Sequence, residues 1–93
     1  MRLIWTRRAI LDLAEIRSCI AHENPRAASR VAARIREAAA RLRDHPNLGR
    51  PGRERGTREL VVTRTRYVVA YTVQEESVTV LAVVHSARQW PQL

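Results

Sequence analysis

The sequence predicts an α+β fold in which an N-terminal strand leads into a two-helix hairpin and a three-stranded antiparallel meander packs on the helices. Three observations carry this. Apolar residues recur at helical spacing from Arg7 to about His45, with a single break at Asn24-Pro25. Two prolines and two glycines then interrupt the chain between Pro46 and Gly52. Beyond them, runs rich in Val, Thr and Tyr alternate with short polar turns as far as His85.

Arg2-Leu3-Ile4-Trp5 is a short apolar run stopped by Thr6, a good helix N-cap, so it reads as the opening strand. In the helix that follows, Ile10, Leu13, Ala14, Ile16 and Ile20 fall mostly on one side and leave Arg7, Arg8, Asp12, Glu15 and His22 to the others. Asn24 caps a second helix and Pro25 fits its first position while barring continuation of the first. Ala28, Val31, Ile35, Ala38, Ala39 and Leu42 form the apolar stripe of that second helix. His22 and His45 stand near helix ends, where an imidazole can bond terminal carbonyls.

The stretch from His45 to Gly52, prolonged by Arg53-Glu54-Arg55-Gly56, reads as an exposed basic loop. Residues 57–63, 66–73 and 77–84 then read as strands of a meander. Alternation places Tyr67, Val69, Tyr71 and Val73 on one face of the middle strand, and Val78, Val80, Ala82 and Val84 on one face of the last. The expected organisation is one domain over 1–93, with the hairpin at 7–45, the sheet at 57–85 and a tail at 86–93.

A chain of 93 residues buries a modest fraction of its surface, so a lasting partner would widen its stability margin. Its net charge is +8, and all 17 basic residues are Arg. With no Lys, no lysine can serve as a tuned base or nucleophile, whereas Arg offers a permanent fork to phosphate or carboxylate. Nucleic acid, an acidic protein and an anionic membrane surface are the partner classes such a charge admits. The single Cys19 excludes an intrachain disulfide and reads as a buried structural thiol. Three scattered histidines make no metal motif, and no cofactor is expected. The absence of a long apolar run argues against a membrane span or leader and for a cytoplasmic protein.

Taken together, the β-α-α-β-β-β order, the Asn24-Pro25 break, the Pro46/Gly49-Arg50-Pro51-Gly52 loop, the strand start Arg58-Glu59-Leu60 and the ending Val83-Val84-His85-Ser86-Ala87-Arg88 carry a resemblance. Over nearly the whole chain they resemble the RelE/ParE superfamily of bacterial type II toxins. The resemblance implies a toxin neutralised by a cognate antitoxin, the two forming a hetero-oligomer. ParE-like members poison DNA gyrase, whereas RelE-like members cleave mRNA on the ribosome.

The residues bear on that choice. Cleavage through a 2′-hydroxyl needs a base, cations for the phosphate and an acid for the leaving oxygen. RelE itself uses lysines, which this chain lacks; Glu59, Arg66 and His85 are the alternative catalytic set, with Arg58, Arg64 and Arg88 nearby in sequence. His85 ends the last strand, where a side chain can emerge at a sheet edge, and imidazole titrates near neutral pH. Ribonuclease members often follow that histidine with tyrosine, yet Ser86 stands here, and the ending looks more like the Val-Leu-His-x-x-Arg of ParE-like toxins. The long helical hairpin points the same way.

The expectation is therefore a ParE-like gyrase inhibitor with no chemistry of its own. Arg58, Arg64, Arg66, His85, Arg88 and Trp90 are the partner-binding candidates. Arg58, Arg64 and Arg66 either converge as a phosphate-binding group or solvate the outer sheet face. The RelE-like alternative has the ribosome and mRNA as partners, and an inactive member kept as a DNA- or antitoxin-binding module is a third reading.

Overall fold

The computed structural model describes residues 1–87. They form β1 (Arg2–Trp5), α1 (Arg7–Ala21), α2 (Pro25–Arg41), β2 (Arg50–Pro51), β3 (Arg58–Val61), β4 (Tyr67–Val73) and β5 (Ser77–His85). Both predicted helix starts are capped by the predicted residues. Thr6 Oγ1 accepts the Ala9 N–H at 3.1 Å, and Asn24 Oδ1 accepts the Ala27 N–H at 3.1 Å with Pro25 opening the helix. The helix ends, by contrast, are closed by backbone alone. His22 and His45 contribute main-chain N–H groups to Ser18 and Arg41 carbonyls, and their imidazoles do not cap.

The strands make one sheet in the order β1-β5-β4-β3-β2, with β1 parallel to β5 and the other pairs antiparallel. It contains five strands where the sequence suggested four, because Arg50 and Pro51 pair with Glu59 and Arg58 inside the predicted loop. Two residues rich in charge and proline give no strand pattern; their pairing depends on Glu59, as described below.

The core is aliphatic. Ile35, Ala39 and Leu42 of the second helical segment meet Val62, Val69, Tyr71, Val78, Val80 and Val83 of the sheet side, with Ala9 from α1. The alanines of α2, among them Ala28, Ala32 and Ala39, are buried, so this helix approaches its neighbours closely. Tyr67, Val69, Tyr71 and Val73 do share the core face of β4.

On β5 the expected face holds only for Val78 and Val80. Ala70 pairs with Ala82 but Tyr71 pairs with Val80, so Leu81 is an extra residue and a bulge reverses the alternation. Val83, not Val84, then enters the core. The bulge lies where β1 ends, leaving the β5 edge without a neighbouring strand. The Thr6 Oγ1 hydroxyl donates to the Leu81 carbonyl at 3.0 Å and the Asp12 carboxylate accepts the Val83 N–H at 3.0 Å, so the start of α1 covers that edge.

The apolar stripe of α1 divides. Leu13 and Ile16 pack against the core, whereas Ile10 remains 55% exposed. Cys19 is exposed, against the expectation of a buried thiol, because it lies about a quarter turn from the Ala9-Leu13-Ile16 line. Among the described residues no helix is long and apolar enough to cross a membrane.

Candidate functional site

Two of the arginine-region candidates are occupied by the loops they hold. Arg58 and Tyr71 are cross-strand partners, and together they clamp the segment between α2 and β2. The Tyr71 hydroxyl accepts the Gly49 N–H at 2.8 Å and donates to the Pro46 carbonyl at 2.8 Å, while Arg58 Nη1 donates to the Gly49 carbonyl at 2.7 Å. Gly49 is required because a Cβ there would lie 2.7 Å from both the Glu59 carbonyl and the Tyr71 hydroxyl.

Glu59 is 3% exposed and serves the next loop. Its Oε2 accepts the Arg53 N–H at 2.7 Å, and the Arg50 and Arg53 guanidinium groups stand 3.5 and 3.9 Å from its oxygens. A buried carboxylate needs such partners, and here they fasten β2 to β3. With those partners in place Glu59 is a loop anchor, and its backbone N–H donor leaves it little freedom to turn toward a substrate.

His85 lies elsewhere. It pairs with Tyr67, packs its ring edge-on against the tyrosine at 5.5 Å between centroids, and accepts the Ala87 N–H on Nδ1 at 3.1 Å. Glu59 pairs with Ala70, three positions along β4 from Tyr67. Three steps of a strand are about 10 Å, and an odd number of steps places the two side chains on opposite faces of the sheet. The structure therefore does not bring Glu59 and His85 around one phosphate.

Arg66 precedes β4 and Arg64 sits in the turn before it with φ 64°. Arg58 is opposite Tyr71, five positions further along the strand, or roughly 17 Å away. Arg58, Arg64 and Arg66 thus do not converge into one phosphate site. Arg88 and Trp90 lie outside the described residues. Within those residues no three His, Cys, Asp or Glu side chains gather as a metal would require.

A concavity lies on the helical side. A groove of about 450 Å³ is floored by Leu3 and Trp5 of β1, Ile10, Leu13 and Ala14 of α1 and Ala40 of α2. Arg17, Arg36 and Arg43 rim it, and no carboxylate lines it. Such a trough suits an amphipathic segment that inserts apolar side chains and turns acidic ones outward. Sequence reasoning did not single out this groove. The available signal was the width of the α1 stripe, since Ile10 and Ala14 lie beside the line of Ala9, Leu13 and Ile16 that the core consumes.

Comparison with known proteins gives a consistent family. The model of the ParE toxin of type II toxin–antitoxin systems, parDE, matches residues 3–90. A protein designated as a toxin, Y4kP of Sinorhizobium fredii, is 44% identical over 92 residues, covering 99% of this chain and 95% of its own length. Toxin RelE2 of Caulobacter vibrioides is 39% identical over 87 residues, covering 94% of this chain and 97% of its own. Among solved structures, the chromosomal ParDE toxin–antitoxin system from P. aeruginosa superposes with a TM-score of 0.82 at 26% identity, over 91% of this chain and 95% of that one.

Proposed function

Since the chain belongs to the ParE toxin family of type II toxin–antitoxin systems, we propose that it arrests growth by binding and inhibiting DNA gyrase in the cytoplasm, with no chemistry of its own, until a cognate antitoxin covers it. What most supports a binding mechanism over a catalytic one is the placement of Glu59 and His85 on opposite faces of the sheet, each engaged by its own neighbours. A base and an acid that cannot reach one phosphate do not divide the two proton transfers of RNA cleavage between them.

The antitoxin reading is supported by the groove between β1, α1 and α2. Covering Ile10, which is 55% exposed, gives about half of the roughly 1.5–3 kcal/mol that full burial of a large exposed side chain would, and the partly buried Leu3 and Trp5 of the floor add less. Arg17, Arg36 and Arg43 at the rim favour an acidic partner and oppose a basic one. The antitoxin thus occupies the helical side and forms the toxin–antitoxin hetero-oligomer there.

The similarity to a protein named Toxin RelE2 favours a second reading, ribosome-dependent cleavage of mRNA with Glu59, Arg66 and His85 as its residues. Expression without and with the antitoxin separates the two. Growth arrest with chromosome breakage and intact mRNA, relieved by the antitoxin, is expected for gyrase poisoning. Arrest with site-specific mRNA cuts that disappear in His85→Ala overturns it in favour of the nuclease. No arrest at all means that the chain is an inactive member of the family.

A further inference from the structure

The solvent side of α2 carries a row of arginines that neither the core nor the groove uses. Arg26, Arg30 and Arg34 stand four residues apart and Arg41 follows seven later, so the four lie along one side of the helix. At the α-helical rise the row is about 22 Å long. Arg34 reaches the turn between β3 and β4, where its Nη1 donates to the Arg64 carbonyl at 3.4 Å, and the exposed Arg64 continues the row, whereas Arg66, one step from the core-facing Tyr67, belongs to the opposite face of the sheet. Among the described residues none of the five guanidinium groups of this face takes part in an ion pair. Glu37 is the carboxylate that shares this side of α2. Glu75 and Glu76 stand in the turn at the opposite end of β4, where they temper the charge of Arg2, whereas among the described residues Glu37 alone does so along the arginine row of α2.

We propose that this face, α2 with the β3–β4 turn, binds the phosphate backbone of duplex DNA. Permanently charged planar forks with no carboxylate partner among the described residues are suited to phosphate oxygens. Over its length the row passes about six phosphate levels of one strand, since phosphates recur every 3.4 Å along the axis. The aromatic side chains of the described region are engaged elsewhere: Tyr71 is buried, Tyr67 packs on His85 and Trp5 floors the groove. A face without stacking platforms is built for a duplex backbone and not for splayed single-stranded bases. The choice of DNA as the duplex rests on the gyrase reading, because a gyrase poison works beside the DNA segment its target holds.

Fluorescence anisotropy with a labelled DNA duplex and the full chain freed of antitoxin tests this, titrated over a series of salt concentrations. Five phosphate contacts give a slope of log K against log salt of about −4.5. Arg30→Gln/Arg34→Gln should flatten that slope by about two units. Arg30 is exposed, Arg34 is half-buried on the solvent side of the helix and Gln is a good helix former, so an unchanged circular dichroism spectrum confirms that the fold persists. Arg2→Gln/Arg55→Gln removes the same charge at the far end of the sheet and should leave the slope unchanged.

Equal flattening by both pairs shows a diffuse attraction and overturns the proposal. So does an absence of duplex binding at low salt, or tenfold tighter binding to single-stranded RNA. The titration contains no gyrase. Lost DNA binding with intact gyrase inhibition removes this surface alone, whereas absent gyrase inhibition removes the reading beneath it.

Discussion

Replacing Glu59 separates an anchoring carboxylate from a catalytic one. In Glu59→Ala the Arg53 N–H loses an acceptor at 2.7 Å, a charge-assisted bond worth about 1.5–3 kcal/mol. The two arginine contacts add little, because at 3.5 and 3.9 Å they are long and the guanidinium side chains are 61% and 51% exposed; such pairs contribute about 0–1 kcal/mol. The loss should come to about 2–3 kcal/mol, and for a chain of this size that lowers Tm by roughly 10–20 °C. Glu59→Gln keeps an amide oxygen for the same N–H and should lose about 1 kcal/mol. Urea and thermal unfolding of the two variants, followed by circular dichroism, measure both numbers. If Glu59→Ala loses under about 0.5 kcal/mol, or the two variants are equally stable, the anchoring role is refuted. Growth arrest by Glu59→Gln should persist, since the proposed mechanism asks no proton transfer of this residue.

Other consequences are as direct. Tyr71→Phe orphans the buried Gly49 N–H and removes the donor to the Pro46 carbonyl, so unfolding free energy should fall by about 2–3 kcal/mol in a urea titration. Ile10→Glu, at a position already 55% exposed, should leave stability within about 0.5 kcal/mol and weaken antitoxin binding at least tenfold by calorimetry. Unchanged affinity would place the antitoxin somewhere other than the groove. His85→Ala removes a turn-closing bond to Ala87 and an edge contact to Tyr67, and growth arrest on expression should survive it.

Those residues show why parts of the molecule were legible in the sequence and others were not. Thr6 and Asn24-Pro25 act through local backbone chemistry, so both helix starts could be read directly and both caps are formed. The stripe of α2 and the alternation of β4 are periodic, and periodicity reports the core face without knowledge of the partners. The bulge at Leu81 has no such sign. It depends on where β1 stops and on what Thr6 and Asp12 can reach, which are matters of tertiary structure.

The same distinction governs the candidate site. Arg58, Arg64 and Arg66 look adjacent in sequence, but a strand carries its residues apart at about 3.3 Å each and the pairing sends Arg58 and Arg66 to different ends of β4. Glu59 looked chemically available because carboxylates are normally solvated; only the folded loop shows it buried against Arg53. The groove was not read from the sequence: the apolar stripe of α1 was assigned to one face, and only the packing of α1 against α2 shows Ile10 and Ala14 lining a trough rimmed by arginines.

A supercoiling assay with purified gyrase and the full chain freed of antitoxin tests the central claim most directly, scored for DNA trapped in cleaved complexes and run beside ribosome-programmed mRNA. The expected result is inhibited supercoiling with gyrase-dependent DNA breakage, both suppressed by antitoxin, while the mRNA stays intact. Normal supercoiling with site-specific mRNA cleavage would contradict it and make His85, Arg66 and Glu59 the residues to pursue.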